Sequence, residues 1–169
     1  MNTDDDMARV EWIEKCGLEN LRSHLAAMDH LNKESNTTLT LLLAGAGAAL
    51  ANAIRGFDTI SSPSPTTVTS LALSLYLFLV SGFVVWKCIW IGEAQQPTNE
   101  PANLDHPDYS FLVVRRTELK GIQSRIKLAI ARNESTANWL NGLRVATIVG
   151  TPIVGSLLFL YLQMAHLFA

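Results

Sequence analysis

Residues 59–86, TISSPSPTTVTSLALSLYLFLVSGFVVW, run for 28 positions without an Asp, Glu, Lys or Arg. About 20 predominantly apolar residues suffice to carry an α-helix across the hydrocarbon of a bilayer, so this stretch predicts a span, placed at about 68–90. Two further charge-free stretches occur, 35–54 with 20 residues and 145–169 with 25. The 169-residue chain is 17% charged, against about 25% for a soluble domain, and its charges are segregated rather than evenly thinned. Three such gaps exclude an ordinary soluble enzyme. They predict an all-α membrane protein with three transmembrane helices per subunit, together with cytoplasmic N-terminal and inter-span amphipathic helices.

The first span, about 37–54, differs in texture from the second. After Leu41-Leu42-Leu43 it continues Ala44-Gly45-Ala46-Gly47-Ala48-Ala49-Leu50-Ala51-Asn52. Small residues allow helix backbones to approach closely, and Gly45 with Ala49 forms a small-xxx-small pair, so this helix is expected at the centre of a bundle. Pro63 and Pro65 make the turn that returns the chain, giving a hairpin over residues 37–92. The greasier second span is expected to face lipid. Its Ser70, Ser74 and Ser81 share one face, either to hydrogen-bond a neighbouring helix or to line a wet path. In the third segment, 136–169, Gly150, Pro152 and Gly155 cluster within a turn and a half and predict a kink, making them the gating candidates.

Orientation follows Lys and Arg near the spans. Arg9, Lys15, Arg22 and Lys33 precede the first span, Arg55 alone lies between the first two, eight basic residues lie from Lys87 to Arg144, and none follow the third. The rule places the N-terminus in the cytoplasm and the C-terminus outside, despite the acidic residues of the N-terminal segment. Trp86, Trp90 and Trp139 stand beside this basic boundary, as interfacial anchors do. The acidic start, Met1 to Asp6, lacks the form of a signal peptide, so no cleavage is expected.

Outside the spans two helices are predicted. In residues 1–36, Val10, Ile13, Leu18, Leu21, Leu25, Met28 and Leu31 make an apolar stripe over Met7–Lys33, with Gly17 as its weak point. The stripe must cover a neighbouring helix, a second subunit or lipid headgroups. Ser35, Asn36 and Thr37 offer caps for the first span, leaving open whether the helix is interrupted. In residues 93–135, a Pro- and Asn-bearing linker leads to a helix from Ser110 to Arg132. Its stripe is Leu119, Ile122, Ile126 and Ile130, flanked by Arg116, Lys120 and Lys127 on one side and Arg125 and Arg132 on the other. Asn133-Glu134-Ser135-Thr136 predicts a break or cap before the third span.

Chemistry-bearing motifs are scarce. No phosphate loop, nucleophile triad, paired catalytic carboxylates or zinc-type spacing can be assembled, so neither enzymatic activity nor a cofactor or metal is expected. Asp105-His106-Pro107-Asp108 reads as a turn. His24, His30 and His166 read as surface or interfacial residues. Cys16 and Cys88 read as free thiols in a reducing compartment. Asn36 and Asn133 begin glycosylation-like triplets on the wrong side of the membrane to be used.

The arrangement of helix 7–33, a close two-span hairpin and helix 110–132 resembles small multi-pass membrane effectors of bacterial antiphage systems. These include SLATT-type proteins and the channel subunit of the Hailong nucleotidyltransferase-linked system. The third span, 145–169, departs from the two-span SLATT pattern more than from the Hailong one. The resemblance implies a bacterial inner-membrane, homo-oligomeric pore, taken as a tetramer, gated by a nucleotide or oligonucleotide signal from a nucleotidyltransferase partner. Read onto this chain, Gly45, Ala48, Ala49 and Asn52 are pore-lining or interhelical candidates. Arg116, Lys120, Arg125, Lys127 and Arg132 are candidates for an anionic ligand or for lipid headgroups. The alternative function is a non-conducting membrane anchor or scaffold that presents cytoplasmic helices to a protein partner.

Overall fold

The computed structural model describes residues 3–59, 64–89, 99, 104 and 108–167. Among the described residues the fold is all-helical, without a strand: α1 (Thr3–Thr59), α2 (Pro65–Val84) continued by a π-helical turn (Val85–Ile89), and α3 (Phe111–Leu167). Each of the three carries a segment long and apolar enough to cross a membrane. Ser64 caps α2: its extended backbone and its Oγ, which accepts from the Thr67 N–H at 3.3 Å, precede Pro65 at the first turn.

α1 continues through Ser35-Asn36-Thr37, where the sequence leaves an interruption open, and α3 continues through Asn133-Glu134-Ser135-Thr136, where it predicts a break or cap. The hydroxyls offered as caps for a helix start are used inside the helix instead. Thr37, Thr38 and Thr40 donate back to the carbonyls of Lys33, Glu34 and Asn36, while Ser35 is fully buried. Neither stretch contains Gly or Pro, so nothing in the backbone forces an end. α3 also passes through Pro152, whose missing N–H leaves the Ile148 carbonyl without its usual donor.

Packing divides the chain into two compact units, Met1–Leu31 with Ile91–Ser135 and Asn32–Trp90 with Thr136–Ala169. In the first unit Leu21, Ile122, Ile126 and Ala129 are buried, with Leu18, Leu25, Leu119 and Ile130 packed around them. The apolar stripes of α1 and α3 therefore cover each other. Gly17 serves that contact rather than weakening the helix: a methyl group there would lie 3.2 Å from Ile122 Cγ2. At about 1.5–3 kcal/mol for each large side chain withdrawn from water, this cluster is the main source of cohesion in the unit.

The second unit packs differently. Its buried cluster is Leu42, Ala46, Leu77, Val80, Val84, Cys88 and Leu140. The α1–α2 seam is built from small residues. Gly45 sits against Leu77, Ala46 and Ala53 are buried, and any side chain at Gly56 would collide with Thr67. Leu71, Leu75, Phe78, Leu79 and Phe83 of α2 point outward, as a lipid-facing surface requires. Yet the other face of α2 reaches both partners, Ser74 bonding the Ala46 carbonyl of α1 and Tyr76 the Ala146 carbonyl of α3. Within this unit α2 touches both other helices through the donors its serines and tyrosine supply, and α1 touches both as well, since Arg144 of α3 binds Glu34 and Thr38. The most apolar window of α3 has no buried residue.

Candidate functional site

Of the residues proposed to line a pore or join helices, Gly45 faces α2, Ala49 is half-buried, and Ala48 is exposed. Asn52 is exposed but bonded: its Nδ2 donates to Ser70 Oγ at 2.7 Å. One helical turn further along the seam, Ser74 Oγ donates to the Ala46 carbonyl at 2.9 Å. Ser81 instead donates to Leu77 of its own helix. Two of the three aligned serines therefore tie α2 to α1, which is how an isolated polar side chain in a span is ordinarily satisfied.

Next to Gly45 and Ala49, a second face of α1 has no neighbour among the described residues of the unit. Ala44, Gly47, Ala48 and Ala51 are all exposed, and a methyl group added at Gly47 would meet open space. Positions 44, 48 and 51 follow one another at helical spacing, so they make one flat strip beside Asn52.

Two of the three gating candidates, Gly150 and Gly155, occupy a packed contact, while Pro152 is exposed. A methyl group on Gly150 would overlap the Tyr76 hydroxyl, which donates to Ala146 at 2.7 Å, and Gly155 lies beside Leu73. Here glycine lets an aromatic ring of α2 lie against the α3 backbone.

The basic residues of α3 divide into two groups. Arg116, Lys120 and Lys127 are exposed and lie within about 40° of one another around the helix. On the other flank Arg125 is committed to Glu118, with both side chains largely buried, and its Nε is buried without a hydrogen-bond partner among the described residues. Glu118 also accepts from Asn99 at 2.6 Å. Arg132 is half-buried.

Three contacts have no counterpart in the sequence reading. Arg115 binds Glu14 at 2.6 Å and lies over the Phe111 ring. Asn133 donates to the His24 carbonyl at 2.8 Å, so the residue expected to break α3 ties it to α1. In the second unit Arg144 grips α1: Nη2 donates to Glu34 Oε2 at 2.5 Å, and Nε and Nη2 both reach Thr38 Oγ1. The available signal was positional, since Glu34 and Arg144 are the last charges before two of the uncharged stretches. Lys87 lies 3.8 Å from the Trp86 ring and 5.1 Å from the Trp139 ring, so these anchors form one stack. Trp90 and residues 105–107 of the Asp-His-Pro-Asp motif lie outside the described residues. Among the described residues no cluster of metal-ligating side chains occurs, and Cys16 and Cys88 are free thiols.

Among the described residues these features define an all-helical chain with three membrane-competent helices and a polar, small-residue seam between α1 and α2. Comparison with protein-family models, with curated proteins and with solved structures gives no match to it.

Proposed function

We propose that the protein is the subunit of an oligomeric membrane channel opened by an anionic cytoplasmic ligand of nucleotide type, acting as a bacterial antiphage effector. The observation that carries this reading is the unpartnered strip Ala44, Gly47, Ala48 and Ala51 on α1. Lipid gives no reason for small side chains on an exposed helix face, whereas a second helix packed backbone to backbone does. Three helices enclose no pore by themselves, so copies joined along this strip form the conducting assembly, with Asn52 at its edge. The N-terminus and both basic segments lie in the cytoplasm, in keeping with the excess of Lys and Arg there. The antiphage role rests on the likeness in helix arrangement to small defence-system effectors.

The ligand surface is the exposed row Arg116, Lys120 and Lys127, whose charges are not consumed by internal pairs as that of Arg125 is. A ligand shifts an opening equilibrium only by binding one state more tightly, so this row must meet different surroundings in the closed and open channel. The test is ion flux from vesicles containing the purified protein, with and without nucleotides, for wild type and Ala48→Leu. Ligand-dependent flux that disappears together with the cross-linked ladder in Ala48→Leu supports the channel. No flux from a well-assembled oligomer under any nucleotide removes it.

One observation favours the scaffold reading. Trp12 and Val113, in the unit that carries no span, are 67% and 48% exposed. Aromatic side chains of this kind anchor protein interfaces. Trp12→Ala abolishing capture of a specific protein, in a chain that passes no ions, would establish that alternative.

A further inference from the structure

A groove of about 420 Å³ runs between α1 and α3 in the unit of residues 32–90 and 136–169. Leu41, Leu42, Gly45, Leu77 and Ile148 form its apolar walls. Thr37, Thr38 and Arg144 stand at one end, with Thr147 midway and Thr151 at the other end. From Thr37 to Gly45 and from Arg144 to Thr151 the helical rise gives a length of about 10–12 Å. The side is open, since Leu41 is 69% and Ile148 75% exposed on its rim.

The chemistry of the walls selects the occupant: an apolar channel open along one side, with an arginine at one end. A single hydrocarbon chain is thin enough to enter. The polar end supplies the complementary charge: Arg144 spends Nε and Nη2 on Thr38 and Glu34, but Nη1 makes no hydrogen bond among the described residues. Helical side chains lean toward the N-terminus, which on α3 directs the guanidinium toward Trp139. Trp86, Lys87 and Trp139 form an aromatic and basic stack of the kind found at headgroup level. With a phosphate at that level, about the first 10–12 Å of a chain lie along the groove toward Thr151.

We propose that this groove is a phospholipid site, holding one acyl chain between α1 and α3 with the lipid phosphate on Arg144 Nη1. Glu34 covers the opposite edge of the guanidinium and offsets its charge. It therefore restrains any preference for lipids with net negative headgroups, and removing its charge releases that preference. The inference does not depend on whether the protein conducts.

The test uses the full chain in vesicles of phosphatidylethanolamine and phosphatidylglycerol containing a trace of phospholipid with a photoactivatable acyl chain. Adducts are mapped by peptide mass spectrometry. Labelling at Leu41, Gly45 and Ile148 is expected to exceed that at Leu75 and Leu79, which face outward on α2. The pair Glu34→Gln with Arg144→Gln, which leaves no unmatched charge, should lower groove labelling about tenfold, the effect of losing one charge-assisted hydrogen bond. Thr147→Phe should do the same by filling the groove, with Leu75 and Leu79 unchanged. Glu34→Gln alone retains Arg144 and should raise labelling by a phosphatidylglycerol probe above that by a phosphatidylcholine probe. Groove labelling no stronger than at Leu75, or unmoved by both the double variant and Thr147→Phe, overturns the site. So does efficient disulfide formation between subunits carrying Leu41→Cys and Ile148→Cys with the groove unlabelled, which assigns the surface to a second copy.

Discussion

In the unit of residues 1–31 and 91–135, α1 meets α3 through Leu21, Ile122 and Ile126, and its polar cross-contacts include the Arg115–Glu14 ion pair. In the unit of residues 32–90 and 136–169, Gly45, Ala46, Ala53 and Gly56 make the close α1–α2 contacts, hydroxyls and an amide make the α1–α2 cross-links, the Arg144–Glu34 pair joins α3 to α1, and Leu75 and Leu79 face outward. On the function proposed above, the difference follows from solvent. Where water surrounds a helix pair, large side chains gain by hiding. Where lipid does, large side chains gain nothing by moving inward, so cohesion comes from close backbone approach and from polar groups that have no other partner.

The largest effect expected from this contrast is at Leu21, which is completely buried. Leu21→Ala should cost about 2–5 kcal/mol, the transfer term plus the cavity left behind. Hydrogen exchange should show the loss as faster exchange along Leu18–Leu25 and Leu119–Ile130, with Leu42–Ala53 unaffected. Leu75→Ala, which removes as much side chain from α2, should cost less than about 0.5 kcal/mol in a bilayer. Equal costs at the two positions would mean that both units are solvated alike.

Next in size is overpacking at the glycine contact of the second unit. Gly150→Ala drives a methyl group into the Tyr76 ring and hydroxyl, and should destabilise by about 1–3 kcal/mol. Removing the obstruction with Tyr76→Leu should restore part of that loss, giving a non-additive pair in a double-mutant cycle read by unfolding in mild detergent. A fully additive pair would show that Gly150 owes nothing to the ring.

These contacts also measure how much of the molecule was legible beforehand. The three membrane-competent helices followed directly from where charge stops. The stripe Leu119, Ile122, Ile126 and Ile130 met the stripe through Leu21, because period and composition specify a buried face. Continuity was harder to read. Ser35 to Thr37 and Asn133 to Thr136 contain the residue types of caps, but a hydroxyl or amide can equally bond its own helix or a neighbour, and local sequence does not say which. The Gly150, Pro152 and Gly155 cluster looked like a hinge, yet Gly150 has a specific partner 74 positions away in the chain, at Tyr76. Arg144 gave the same difficulty: its place at the edge of a span was clear, while its partners Glu34 and Thr38 required the fold.

A smaller effect is expected from Glu14→Gln. The Arg115–Glu14 pair keeps part of both side chains in solvent, so its loss should cost no more than about 1 kcal/mol. The cost should shrink as salt is raised, because screening acts on partly exposed charges. The second unit's hydroxyl contacts should show no such dependence. A Glu14→Gln penalty that stays constant between low and high salt would indicate that the carboxylate acts through packing instead.

The smallest effect concerns Asn52, where the two units' rules meet in one side chain. An amide in a span has no water to fall back on, and the 2.7 Å bond to Ser70 gives it a partner on the adjacent helix. Cross-helix hydrogen bonds in membranes are worth only about 0.6 kcal/mol by double-mutant cycles, since the separated helices also find partners. The cycle Asn52→Ala with Ser70→Ala should therefore return a coupling of about that size in an unfolding measurement in lipid. The same four proteins, tested for ion flux in vesicles, separate structure from conduction. If Asn52 only joins α1 to α2, Ser70→Ala and Asn52→Ala alter flux equally and only as far as stability falls. If Asn52 also faces the ion path, Asn52→Ala changes flux while Ser70→Ala, which leaves the amide in place, does not. A coupling near zero with flux altered by Asn52→Ala alone would make the bond to Ser70 incidental and move Asn52 from the seam to the pore.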